Sequence, residues 1–327
     1  GSQYFAANNS NVTGSFSRTF VATSTSAFMH FGASAGNDIT FDNISVRELP
    51  GNHAVQNTEA ARPILARVPE GGRRNLLERT EEFDNAAWIK SGVTATADTV
   101  TAPDGTSTAD TITNSTSAEF LEQTVVVASG ATVSLSVYAK RGDHDWFRVK
   151  LISTSPSRGV QAWFNLATGA KGSILADDVD STAVDYTISD EGDGWYRCTV
   201  VASLSGATDY RCATASATGD GVFTRVSGGI RYQWGAQAET ASSASAYQRV
   251  SSEYDITEAG VTSLDYLAFD GTDDFLENAT PAIDLTNLMV AAAFEQIDNE
   301  DFSGFVDLAP STGDDFATPA SFFMNAS

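Results

Sequence analysis

Between residues 143 and 165 the chain gathers the side chains that sugar recognition requires. A pyranose presents a CH-lined face and a rim of hydroxyls, so its receptor needs flat rings beside planar amide, carboxylate or guanidinium groups. Trp146 and Trp163 supply rings, and Asp143, Asp145, Arg148 and Gln161 supply polar partners. Phe147, Asn165, Tyr186 and Tyr210 are further candidates. The bland alternative is that aromatics in a β-rich chain are core residues, and for Trp88, Trp195 and Trp234 that alternative is adopted. Trp146 follows the turn-like run Arg141-Gly142-Asp143-His144-Asp145, which places it at the start of a strand on an exposed edge.

Other chemistries find less support. A glycosidase needs two carboxylates at a defined separation, and 42 Asp plus Glu offer many pairs without marking one. The densest acidic loop, Asp190-Glu191-Gly192-Asp193-Gly194, reads as a tight turn, and the chain contains no Gly-x-Ser-x-Gly, P-loop or His-Glu-x-x-His motif. The expectation is a protein that is not an enzyme. His30, His53 and His144 lack metal-ligand spacing. Cys198 and Cys212 read as lying on two arms of one hairpin around Leu204-Ser205-Gly206-Ala207, where the register decides between a cross-strand disulfide and two buried thiols.

The elements that must position these residues are strands. Thr132-Val133-Ser134-Leu135-Ser136-Val137-Tyr138-Ala139 alternates as a half-buried strand does. Further strands are expected over 146–152, 160–166, 183–188, 195–203, 209–215 and 230–237, with turn signals between them, as in a β-sandwich. No long window carries the i, i+3, i+4, i+7 pattern of a dominant helix, so the expected class is all-β. A net charge of −23 repels phosphate backbones and anionic lipid surfaces, and no apolar run is long enough to cross a bilayer as a helix. Nucleic acid and membrane insertion are thus excluded as expected partners.

Along the chain, Phe16–Thr23 with Ile39–Val46 reads as a second copy of Tyr196–Ser203 with Ile230–Gly235. The chain therefore opens on half of a β-module, and repeated modules point to binding or structural arrays. The expected organisation is a half-module over 1–50, a Pro/Gly/Arg-bearing linker over 51–74, a complete sandwich over 75–250, and the beginning of a further sandwich over 251–327.

Asn75-Leu76-Leu77, Phe83 to Trp88, Ala102-Pro103-Asp104-Gly105-Thr106, Ala109-Asp110, Gly194-Trp195-Tyr196-Arg197 and Trp234-Gly235-Ala236-Gln237-Ala238-Glu239 follow in order over 75–250. Together they resemble a module of tailed-phage fibre and head-spike proteins, itself similar to jelly-roll carbohydrate-binding modules. Leu267 to Phe275 resembles the opening of a concanavalin A-like, laminin-G-like jelly roll. The resemblance implies tandem jelly-roll sandwiches in a virion appendage of a phage or gene-transfer particle. It implies adsorption to host cell-surface polysaccharide, location on the virion surface, and partners among other virion proteins and copies of the same chain. Related modules hold structural calcium near the last strand, which by analogy makes Asp42 and Glu239 candidate ligands. Two alternatives stand beside glycan binding: a structural spacer of a fibre, and the non-catalytic part of a polysaccharide-degrading enzyme. Exposed rings at Trp146 and Trp163 are expected of a receptor, and covered rings of a spacer.

Overall fold

The computed structural model describes residues 56–115, 120–224 and 228–270, and pairs two short strands beyond them, Gly304–Val306 and Phe322–Phe323. The expected half-module over 1–50, and with it Asp42, lies outside the described residues, as does most of 251–327. The described residues belong to the unit His53–Ser327.

The architecture is all-β, with helix limited among the described residues to the 3-10 turn Glu59–Ala61. In chain order the strands are β1 (Ile64–Pro69), β2 (Ile89–Ser91), β3 (Val93–Val100), β4 (Ala109–Asn114), β5 (Phe120–Val126), β6 (Thr132–Lys140), β7 (Trp146–Thr154) and β8 (Ser157–Asn165). They continue as β9 (Ala170–Ala176), β10 (Ser181–Asp190), β11 (Trp195–Leu204), β12 (Asp209–Ala217), β13 (Ile230–Glu239), β14 (Gln248–Ser252), β15 (Asp255–Glu258) and β16 (Ser263–Ala268). Two six-stranded sheets, β10-β11-β6-β13-β4-β3 and β2-β5-β12-β7-β8-β9, form a β-sandwich. Pairing within both is antiparallel.

Alternation explains why these sequences fold so. Val133, Leu135 and Val137 of β6 and Cys198, Val200 and Ala202 of β11 point into the core, where they meet Phe147, Val149 and Leu151 of β7 and Val160, Ala162 and Phe164 of β8. A second apolar cluster, Tyr138, Trp195, Trp234 and Ala109 with Tyr247 against it, uses the opposite side chains of β6, β11 and β13.

Two expectations need correction. Cys198 and Cys212 are not on one hairpin: β11 and β12 are consecutive but enter different sheets, and both thiols are free and buried. The turn at Ser205-Gly206 passes the chain from one layer to the other, which alternation alone does not distinguish from a hairpin. The segment read as a linker also contains β1, whose six residues pair with β16 while it runs parallel to β15. Its arginines anchor it, Arg67 on Asp255 and Arg74 on Glu258 at 2.8 Å.

Candidate functional site

The outer face of the β5-β12-β7-β8-β9 sheet carries the candidate site. Because Phe147, Val149 and Leu151 enter the core, period two turns Trp146, Arg148, Lys150 and Ile152 outward. In β8 the same rule turns Gly159, Gln161, Trp163 and Asn165 outward. Cross-strand register then sets Trp146 beside Asn165, Arg148 beside Trp163 and Lys150 beside Gln161. On the other flank the neighbours are Ala217, Ala215 and Ala213 of β12, so the large side chains of β7 lie beside methyl groups.

The loop that follows β12 folds back over this face. Trp163 donates its indole N–H to the Val222 carbonyl at 3.0 Å, and the Phe223 ring stands edge-on to the Trp163 ring with centroids 5.4 Å apart. The Arg148 guanidinium carbon lies 5.6 Å from the Trp163 centroid and 5.7 Å from that of Phe223, so the cation is held by both rings. Asp220 fastens the loop to β9 by accepting from the Ser173 backbone N–H at 2.5 Å and from its hydroxyl at 3.1 Å. Gly172 makes the close approach possible: a Cβ there would come 2.6 Å from Cζ3 of Trp146.

A cleft of about 200 Å³ opens on this face, with Arg148, Lys150, Gln161, Asp177 and Phe223 in its wall. Gln161 donates to Asp177 at 3.3 Å across it. Of the residues anticipated from sequence, Arg148 and Gln161 line the cleft directly. Trp163 sits behind the Arg148 and Phe223 layer and is only 1% exposed, so it is not the exposed ring that was expected. Trp146 is partly covered. Asp143 and Asp145 serve the β6–β7 turn: Asp143 accepts from the Ile230 backbone N–H at 2.9 Å, and Asp145 pairs with Arg141 at 2.5 Å. Neither lines the cleft.

Tyr210 is a core residue whose hydroxyl accepts from the Leu204 N–H at 2.8 Å and donates to the Ala131 carbonyl at 2.6 Å. Phe147 is likewise core, and Tyr186 packs against the core cluster with its ring centroid 6.2 Å from that of Phe164. Sequence reasoning missed Phe223, which is 53% exposed at the cleft. The available signal was a Val-Phe pair directly after the turn-like run Thr218-Gly219-Asp220-Gly221, where burial would not be expected.

The module motifs prove architectural. Trp88, Trp195 and Trp234 are buried, and their indole N–H groups donate to the Arg79 carbonyl, the Thr101 carbonyl and the Thr108 hydroxyl respectively. Glu239 is also buried, and its carboxylate accepts from Gln237 at 2.6 Å and from the Ser245 backbone and hydroxyl at 2.9 and 2.6 Å. Those bonds fasten the loop after β13, a role unlike that of a ligand in an open calcium shell. Among the described residues no group of three His, Cys, Asp or Glu side chains gathers as a metal site.

No protein-family model matches the sequence, and no curated protein is similar to it. Among solved structures, the enzymatically active domain of bacteriophage CBA120 tailspike protein 4 is similar over 50% of this chain and 21% of its own, at 15% identity and a TM-score of 0.30. The chain thus spans about a fifth of that tailspike structure. A candidate sugar-binding protein from Bacteroides thetaiotaomicron is similar over 52% of this chain and 96% of its own, at 13% identity and a TM-score of 0.27.

Proposed function

We propose that this chain is a non-catalytic, glycan-binding part of a virion appendage, with the outer face of the β12-β7-β8 layer as its receptor surface. The observation that carries the reading is the cleft beneath Phe223, where a half-exposed ring stands beside planar amide, carboxylate and guanidinium groups. That is the pairing of apolar face and polar rim that a pyranose requires. The sandwich fold and the acidic charge support it as well, since they suit a soluble module on an extracellular particle and disfavour nucleic acid.

A structural spacer is the second reading, and the burial of Trp163 favours it. A glycan array with the full chain separates the two, run beside Phe223→Ala and Trp146→Ala. Glycan binding predicts capture of a defined set of polysaccharides that weakens about tenfold or more on loss of the Phe223 ring, as expected when a stacking contact of roughly 1–2 kcal/mol is removed. A folded chain that captures nothing would leave the spacer.

A further inference from the structure

The opposite sheet carries a second cleft, of about 190 Å³. Cys198, Val200 and Ala202 of β11 enter the core, and Tyr186 and Ile188 of β10 pack against it, so period two turns Arg197, Thr199 and Val201 outward beside Ser189, Thr187 and Asp185. These three cross-strand pairs line the cleft, and Ser243 and Ala244 wall it. The wall is fixed, because the adjoining Ser245 is bonded to the buried Glu239. Arg197 is held in place as well: its Nε and Nη2 donate to the Ser136 hydroxyl at 3.2 and 2.9 Å, and its guanidinium carbon lies 5.3 Å from the Tyr138 centroid. A guanidinium carries more N–H donors than Ser136 takes, which leaves Nη1 uncommitted. The hydroxyls of Thr187 and Thr199, directly opposite one another, have no hydrogen-bond partner among the described residues.

The cleft thus offers fixed donors at Arg197, two hydroxyls in the middle, and the Asp185 carboxylate roughly 13 Å along the strands from Arg197. Sugar hydroxyls both donate and accept, so they match such a row. An anion does not: Glu191 accepts from the Ser189 hydroxyl at 2.7 Å, beside Arg197, and Asp185 holds the other end, so a bound carboxylate or phosphate would stand among like charges. The aromatic lining residue, Tyr186, has its ring against Phe164 and Lys171, and the cleft therefore works by hydrogen bonds rather than by stacking. Its volume is below the ~300–1,000 Å³ of a site that engulfs its ligand, so it grips part of a polymer. We propose, on the basis of the glycan-binding reading above, that this cleft is a second saccharide subsite, for a neutral, hydroxyl-rich stretch of polysaccharide. One module then holds glycan on both of its sheets and gains avidity on a dense surface.

The test is the full chain on an array of neutral bacterial polysaccharides with dextran, mannan and galactan, beside a second set of uronate polymers, at low and high salt. Thr199→Val and Thr187→Val each remove a cleft hydroxyl with little change of volume. Neither hydroxyl bonds to the protein, so Tm should stay at the parent value. The expected result is capture of a neutral polysaccharide, unchanged by salt and weakened about fivefold by either threonine variant, as for loss of one hydrogen bond of about 1 kcal/mol. Phe223→Ala in the same chain should multiply that loss, since the two clefts lie on opposite sheets. Parent-level capture by both threonine variants overturns the second subsite, and a loss in Phe223→Ala alone then leaves the glycan-binding reading intact. Loss in the threonine variants with parent-level capture by Phe223→Ala supports the subsite and overturns the Phe223 cleft as receptor face. Capture confined to the uronate set, or abolished by salt, overturns the neutral class. Silence on both sets from a folded chain overturns both readings together.

Discussion

Replacing Trp163 with alanine separates a residue that builds the site from one that touches a ligand. An indole removes about 150–250 Å² from water, which at about 25 cal/mol/Å² is roughly 4–6 kcal/mol of transfer free energy. The 3.0 Å bond from its N–H to the Val222 carbonyl adds about 1 kcal/mol. Against this, the covering loop is exposed at Val222 and Phe223 and can settle into the space left behind. The expected cost is therefore the usual range for a large aromatic truncated to alanine, about 3–5 kcal/mol. In a domain of 150–250 residues that corresponds to a fall in Tm of about 6–20 °C. Phe223→Ala, at a half-exposed ring, should cost less than about 1 kcal/mol. Urea unfolding followed by circular dichroism, with both variants and the parent, measures the contrast. Equal costs for the two variants, or a cost below about 1 kcal/mol for Trp163→Ala, would refute the placement of Trp163 as floor and Phe223 as surface.

Asn75→Ala should be comparably severe, because the buried amide accepts from the Leu77 and Ala238 backbone N–H groups and donates to the Ala236 and Gln248 carbonyls. Four groups losing partners at about 1 kcal/mol each give a loss of about 4 kcal/mol in urea unfolding. Asp110 predicts a pH dependence. Burial pushes its carboxyl up to about 6, against the opposing effect of bonds from the Asp98 and Phe83 backbone N–H groups. The folded state then holds a proton that the unfolded chain, with a carboxyl near 3.9, has released. Stability contributed by this group therefore falls as pH rises from about 4 to about 6 and is level above that, by at most about 2–3 kcal/mol. Subtracting the urea-derived pH profile of Asp110→Asn from that of the parent should reveal this slope, and parallel profiles would remove the assignment.

Much of the fold was legible because the central strands obey period two. The expected strand starts at Thr132, Trp146, Trp195, Asp209 and Ile230 are those of β6, β7, β11, β12 and β13. Less legible were strands whose side chains meet little core. β9, Ala-Lys-Gly-Ser-Ile-Leu-Ala, has only Ile174 and Ala176 packed against the main cluster, so its pattern is faint. β1 owes its order to Arg67–Asp255 and to pairing with β16, both set by residues nearly two hundred positions away. For the site, alternation within β7 and β8 turns Arg148 and Trp163 outward. An outward side chain is nevertheless not an exposed one when a loop returns over the sheet, and that return is fixed by the bonds of Asp220 and Val222, which have no periodic signature.

The same distinction explains why the module motifs identify a fold more readily than a ligand. Asn75, Asp110 and Tyr247 tie the segment 75–88 to β13, to β4 and to the residue before β14, and Trp195 and Trp234 tie the β3–β4 connection at Thr101 and Thr108 to β11 and β13. Each is engaged by backbone or hydroxyl partners and is not available to a sugar. A chain could retain all of them and change what it binds, provided the sandwich stayed closed. Phe223, Lys150 and Gln161 belong to none of those motifs, and the first of them stands on a loop with no core residue among its described residues. Under the glycan-binding proposal, specificity would sit where substitution disturbs packing least: exchanging Lys150 or Gln161 alters the charge and hydrogen-bonding of the cleft while the inward-facing Val149, Leu151, Val160 and Ala162 keep the sheet intact.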